Sequence, residues 1–254
     1  MTMPKFSTFL VAGFLTVASF SQAEAQKTAE TLTPAQKNEV QNILQEYLRT
    51  NPEIILEAIE VLRNRERQGQ QNQAQQNLAS SRTQLLNDPT SPIAGNPNGD
   101  VTMVEFFDYS CHFCKRVFPS IQSLLKQDKN LRYVFKEFPI LSPESQIAAR
   151  AALVVWKHEK DKYFAFHTEL MKSHGGLSER RIFRMAEKVG ANVDIIKKEM
   201  NSTEISEIMQ RNFDLAQQLG VRGAPGFVIG DRIIPGAVDL ATIKRLIAEE
   251  RNKG

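Results

Sequence analysis

The placement of cysteine constrains this chain more than any other feature. Its only two cysteines, Cys111 and Cys114, have two residues between them and directly follow the apolar run Val101 to Phe107. A pair so close closes too small a loop to stabilise a large domain, because the entropic gain of a cross-link grows with loop length. It can instead open and close as a dithiol and disulfide. The run before it is β-branched, aromatic and almost continuously apolar, which reads as a strand buried on both faces. Cys111 then falls where the next helix begins. Unpaired backbone N–H groups and the positive end of the helix dipole stabilise a thiolate there. Cys111 is therefore the candidate nucleophile, and Cys114, a turn further in, the buried thiol that resolves a mixed disulfide.

The rest of the chain builds outward from that turn. Leu131 to Lys136 alternates as a second strand after a helix ending near Lys126, giving a strand–helix–strand unit with the cysteines at its strand-to-helix turn. Residues 143–220 carry helical patterns, with Pro143 and Ser178 as starts and Gly175-Gly176 and Gly190 as stops. Strands return at Gly226 to Ile229 and Arg232 to Ile234, joined at Gly230-Asp231 as an antiparallel hairpin. Asp239 caps a last helix to about Glu250. The expected class is α/β over residues 100–254, with a helical insertion at about 143–220.

Upstream, residues 26–88 are strand-poor. Thr33-Pro34 is a helix start, and Val40, Ile43, Leu44, Tyr47 and Leu48 lie on one helical face. Asn51-Pro52 repeats the start signal before a second stripe, Ile55, Ala58, Ile59 and Leu62. From Arg63 to Gln76 the sequence is polar and glutamine-rich, with Gly69 interrupting it, and reads either as more helix or as a flexible connector. Two short stripes bury too little surface to offset chain entropy alone. They associate with copies of themselves, in a coiled-coil-like way, or lie on the main domain. Residues 89–99 are dense in turn formers and read as a linker.

Residues 1–25 have the pattern of an export signal: Lys5, an apolar run from Phe6 to Phe20, and Ala23-Glu24-Ala25 as a cleavage site. The run is short of the roughly 20 residues that span a membrane. The remaining chain is expected in an oxidising compartment, a bacterial periplasm. The net charge of +3 is scattered among acids and makes no case for nucleic acid. Zinc favours four ligands, and there is no second cysteine pair; His158, His167 and His174 lack ligand spacing and read as surface residues. No cofactor or resident metal is expected, although copper binding to the reduced dithiol is chemically open. Trp156, Phe164 and Phe166 read as core.

Val104-Glu105-Phe106-Phe107-Asp108-Tyr109-Ser110-Cys111-His112-Phe113-Cys114, the helical insertion, and Gly223-Ala224-Pro225 before the strand pair together resemble the DsbA-like branch of the thioredoxin superfamily. With the N-terminal helices, the layout is most similar to ScsC-type proteins. The resemblance implies a thioredoxin fold with inserted helices and a protein thiol–disulfide oxidoreductase acting on cysteine-containing exported proteins. It also implies a membrane redox partner and a homo-oligomer, expected as a trimer, that reshuffles disulfides; a monomer would instead donate them. His112 and Phe113 fill the positions that tune the thiolate, and His-Phe departs from the Pro-His of strongly oxidising relatives. Pro225 is expected in cis, facing the cysteines, with Ala224 before it and Phe113 beside it as substrate-binding positions. Glu105 is implied as the buried proton acceptor for Cys114 and Lys136 as its partner, unless strand alternation turns Glu105 to solvent. Asp108 reads as a turn or capping residue.

Overall fold

The computed structural model describes residues 32–253; the export signal expected at 1–25 lies outside them. The chain divides into two compact units, one ending at Glu60 and the other beginning at Val61.

In the first unit, helix α1 (Pro34–Thr50) starts as the sequence predicts. The Thr33 side chain accepts from the Gln36 backbone N–H, and the Gln36 side chain returns to the Thr33 N–H at 2.9 Å. These two bonds satisfy donors that a helix start leaves unpaired. No residue of α1 is buried. Its apolar stripe faces solvent, with Ile43 60% and Tyr47 54% exposed, and Ile55, Leu56 and Ile59 continue the exposed apolar surface on α2 (Glu53–Ser80). Helix α2 runs on past the unit boundary, through Gly69 and the glutamine tract. That tract is thus more helix and not a connector.

The second unit is built on a five-stranded sheet in the order β1-β3-β2-β4-β5. β2 (Val101–Phe107) and β3 (Leu131–Glu137) are parallel and joined by α4 (His112–Gln127), the expected strand–helix–strand unit. β4 (Gly226–Ile229) pairs antiparallel with β2, and β5 (Arg232–Pro235) with β4. The expected linker holds a strand of its own. β1 (Ile93–Gly95) pairs antiparallel with β3, Ile93 opposite Val134. The turn formers flank a short apolar pair that closes the free edge of β3. Gly95 fits because its φ is +75° and a Cβ would collide with the Leu131 carbonyl oxygen. The insertion is helical throughout: α5 (Pro143–His158), α6 (Lys160–Lys172), α7 (Glu179–Lys188), α8 (Val193–Glu199) and α9 (Thr203–Gln218). Ahead of β1, α3 (Arg82–Leu86) leads into the sheet, and α10 (Leu240–Arg251), capped by Asp239, is the last helix.

Both faces of the sheet are covered. On one, Met103, Phe107, Tyr133 and Phe135 pack with Ile121 of α4, Ala148 of α5, Phe166 of α6 and Ile243 of α10. On the other, Val104, Phe106 and Val134 pack with Leu78, Leu85, Leu215 and Val228. Each buried Val, Leu, Ile, Phe or Met side chain among them contributes about 1.5–3 kcal/mol. The strand period of two thus sends Glu105 to the α4 face and Lys136 to the other. Among the described residues, no helix is long and apolar enough to cross a membrane.

Candidate active site

The site begins where β2 stops. Asp108 turns the chain: its Oδ1 accepts from the Ser110 N–H at 2.6 Å, and its Oδ2 accepts from the Leu141 N–H at 2.8 Å and the Ser145 hydroxyl at 2.9 Å. It is the turn residue the sequence suggests, and it also ties the cysteine loop to the start of α5. Cys111 then occupies the N-cap of α4, and its Sγ accepts from the Cys114 N–H at 3.2 Å.

Both cysteines are free thiols. The Cys111 thiol is pulled down to about 7, chiefly by the hydrogen bond from the Cys114 thiol, helped by the backbone N–H groups of Cys114 and Phe113. Burial and the charge of Asp108 oppose this. The Cys114 thiol is pushed far up by burial, by its bond to Cys111 and by the charge of Glu105. One sulfur is therefore a ready thiolate near neutral pH, and the other keeps its proton until a base takes it.

Opposite Cys111, the Ala224–Pro225 bond is cis. The Cys111 thiol donates to the Ala224 carbonyl at 3.2 Å, which fixes the 224–225 corner against the sulfur. The Pro225 carbonyl is held by the Gly236 N–H at 2.9 Å. Proline has no N–H of its own, so this corner leaves the backbone next to the reactive sulfur open to pairing with a peptide. Phe113 is 51% exposed on the same rim, with the Arg116 guanidinium 4.8 Å above its ring. His112 is exposed with its ring edge-on to Phe113. No hydrogen bond joins His112 to Cys111 among the described residues.

Beneath the cysteines, Glu105 is 2% exposed, so alternation turns it inward. Burial raises its carboxyl to about 8; the Tyr133 hydroxyl, donating to Oε2 at 2.6 Å, lowers it, and the Cys111 charge adds a further rise. Lys136 is not its partner. Glu105 stands in register with Phe135, and Lys136 with Phe106, so the two side chains leave opposite faces of the sheet. The Lys136 ammonium donates instead to Ser91 Oγ at 2.7 Å, the Gln84 carbonyl at 2.9 Å and Asp88 Oδ2 at 3.2 Å. It anchors the segment ahead of β1 to the back of the sheet.

A second buried polar group also escapes the sequence reading. Glu137 Oε1 accepts from the hydroxyls of Tyr109 at 3.0 Å and Tyr163 at 3.2 Å, and Tyr109 meets His167 Nδ1 at 3.1 Å. His167 was expected at the surface; it is fully buried, and burial drives it down to about 3, hence neutral. The spacing Tyr163, His167, Leu170 on one face of α6 was the available signal, since positions i, i+4 and i+7 share a face. His158 and His174 are exposed, and Trp156, Phe166 and the partly buried Phe164 lie in the core. Among the described residues no group of three or more His, Cys, Asp or Glu side chains is placed to hold a metal ion.

The arrangement can exchange a disulfide: a low-pKa sulfur, a proton-holding second sulfur, a carboxyl beneath and a peptide edge beside them. Comparison with known proteins agrees. The DSBA-like thioredoxin domain family matches residues 102–248, and the family described as copper resistance protein ScsC N-terminal domain matches residues 36–68. A thioredoxin-like oxidoreductase from Silicibacter pomeroyi DSS-3 is 40% identical, superposes with a TM-score of 0.64, and is matched over 67% of this chain and 98% of its own. ScsC of Proteus mirabilis, in a transitional conformation, is 32% identical with a TM-score of 0.66 over 88% of this chain and 100% of its own. Disulfide bond formation protein D of Bacillus subtilis (strain 168) is 24% identical over 63% of this chain and 76% of its own length. The chain belongs to the DsbA-like thioredoxin domain family and is a thiol–disulfide oxidoreductase.

Proposed function

We propose that this protein is exported to a bacterial periplasm and there forms or reshuffles disulfides in cysteine-containing exported proteins. The observation that carries the reading is the position of Cys111, at the N-cap of α4 and 3.2 Å from the Ala224 carbonyl of the cis-proline corner. The Cys111 thiolate attacks a substrate disulfide, forms a mixed disulfide and expels one substrate thiolate. Cys114 then attacks the Cys111 sulfur, its proton passing to the Glu105 carboxylate, and the second substrate thiolate leaves. The reverse sequence donates a disulfide. Phe113, Ala224 and Pro225 seat the substrate chain, and His112 sets the polarity at the mouth of the site. Lys136 acts through the fold and not through the proton.

The exposed stripe on α1 supports an oligomer, read as a trimer, in which several sites face one substrate and reshuffle wrong pairings. The match of residues 36–68 to the ScsC N-terminal family supports the same region in this role. Residues 1–25 supply the export signal and 26–88 the assembly region, with 100–254 as the catalytic domain. A membrane partner resets the dithiol.

Trapping tests the chemistry. Full-length Cys114→Ser protein mixed with a disulfide-bonded substrate protein is expected to accumulate a mixed disulfide on Cys111. Loss of that adduct on adding Cys111→Ser is the supporting control; an adduct that forms as readily on Cys114 alone overturns the assignment.

A further inference from the structure

Between α4 and the end of α6, with His112 next to Cys111 on its rim, lies a cavity of about 500 Å³ that disulfide exchange itself does not use. Its floor is apolar: Phe118, Pro119 and Met171. Its rim carries the cations Arg116 and Lys172, with His112 and His174 at the mouth. Lys115 lines it too, its ammonium donating to the Ser173 carbonyl at 2.8 Å and the Ser173 hydroxyl at 3.1 Å, so it holds the end of α6 against α4. No carboxylate lines the cavity. Glu169, a turn back on α6, is paired with Lys188 at 2.8 Å and is not available to neutralise the rim.

We propose that this cavity is the second half of the substrate site, and that it takes an apolar side chain flanked by Asp or Glu from the polypeptide whose cysteine reacts with Cys111. The proposal rests on the disulfide-exchange reading above and names what that site prefers. Two observations carry it. The first is charge complementarity: an apolar floor under a rim that carries Arg116 and Lys172 and no carboxylate favours an acidic, amphipathic segment over a basic or plain apolar one. The second is reach. Lys115 to Pro119 lie about 6–12 Å along α4 from Cys111. An extended chain covers that in about two to four residues at ~3.3 Å each. A substrate seated on the Ala224–Pro225 edge therefore lays its reactive cysteine at Cys111 and its next residues over the cavity.

Attraction by fixed charges raises association rates and weakens with salt. The test uses the full chain as Cys114→Ser, so that the adduct accumulates, with symmetrical peptide disulfides. The Cys111 thiolate forms a bond to one peptide sulfur, the peptide S–S bond breaks, and the second peptide leaves as a thiolate. One peptide carries Leu-Glu-Glu two to four residues from its cysteine, on the amino or carboxyl side in separate versions; its counterpart carries Leu-Lys-Lys. Each rate is divided by that of the same peptide with 2-mercaptoethanol, which removes intrinsic reactivity. The expected result is a preference of about tenfold for the acidic peptide on one side of the cysteine at low salt, falling at high salt. Lys172→Glu is expected to abolish that preference. Lys129→Glu, the same charge change beyond the far end of α4, is expected to leave it. Equal rates for the two peptides, or a preference that Lys172→Glu does not change, overturn the cavity proposal alone. Failure of every peptide to form an adduct on Cys111 overturns the exchange reading with it.

Discussion

Cys111 owes its low pKa to where it sits, since the Cys114 thiol and the N–H groups of Cys114 and Phe113 all point at one sulfur. The thiolate is the reacting species, so its alkylation rate should climb with pH through a midpoint near 7, and fall away below it. A midpoint at the ordinary thiol value of about 8.5 would contradict this. Glu105 works in the other direction: in the proposed exchange it must be ionised to accept the Cys114 proton, so resolution of the mixed disulfide should speed up as pH rises through about 8. Tyr133→Phe removes the donor that favours the ionised form. We expect it to shift that midpoint upward by about one unit and slow resolution about tenfold at neutral pH. Lys136→Met should leave the midpoint alone, yet cost about 1–3 kcal/mol by leaving Ser91, the Gln84 carbonyl and Asp88 without the ammonium that bonds them. A midpoint that moves in Lys136→Met but not in Tyr133→Phe would restore the lysine as the partner of Glu105. The cysteines and Glu105 were legible because a charge or a thiol inside an apolar strand-and-turn run is conspicuous. Tyr133 was not, since a tyrosine in a buried strand looks like any other core residue. The Glu105–Lys136 pairing failed because it depends on register, and no local pattern shows that Glu105 stands opposite Phe135.

The elements with a regular period were readable in advance: β2, α4, β3, the hairpin of β4 and β5, and the caps at Thr33 and Asp239. Two were hidden by composition. β1 has only Ile93 and Ala94 as apolar residues, too few for a period, and becomes a strand only because β3 offers it an edge. The glutamine tract has no apolar face, yet it is held as helix between the stripe of α2 and buried Leu78. Gly69 sits in the middle of that helix, and a Cβ there meets nothing within 4 Å. Gly69→Ala should therefore stabilise the protein by about 0.5–1 kcal/mol, read as a small rise in the thermal midpoint. A neutral or destabilising effect would mean that the tract is not continuous helix.

For the molecule as a whole, the proposed assembly through the exposed stripe of α1 sets what the site is used for. A single copy can reduce or donate one disulfide at a time; several copies on one substrate can break a wrong bond and test another. Ile43 and Leu48 lie on the stripe, away from the cysteine site in sequence, so charging them should disperse the oligomer and spare the chemistry of Cys111. The most direct measurement is the reactivation of a scrambled, wrongly disulfide-bonded ribonuclease by the wild-type chain and by Ile43→Glu/Leu48→Glu, with insulin reduction followed on the same samples. If the α1 stripe assembles the protein, the wild type reactivates the ribonuclease, whereas the double variant loses at least most of that activity and keeps its insulin reduction. Equal reactivation by both proteins would contradict it.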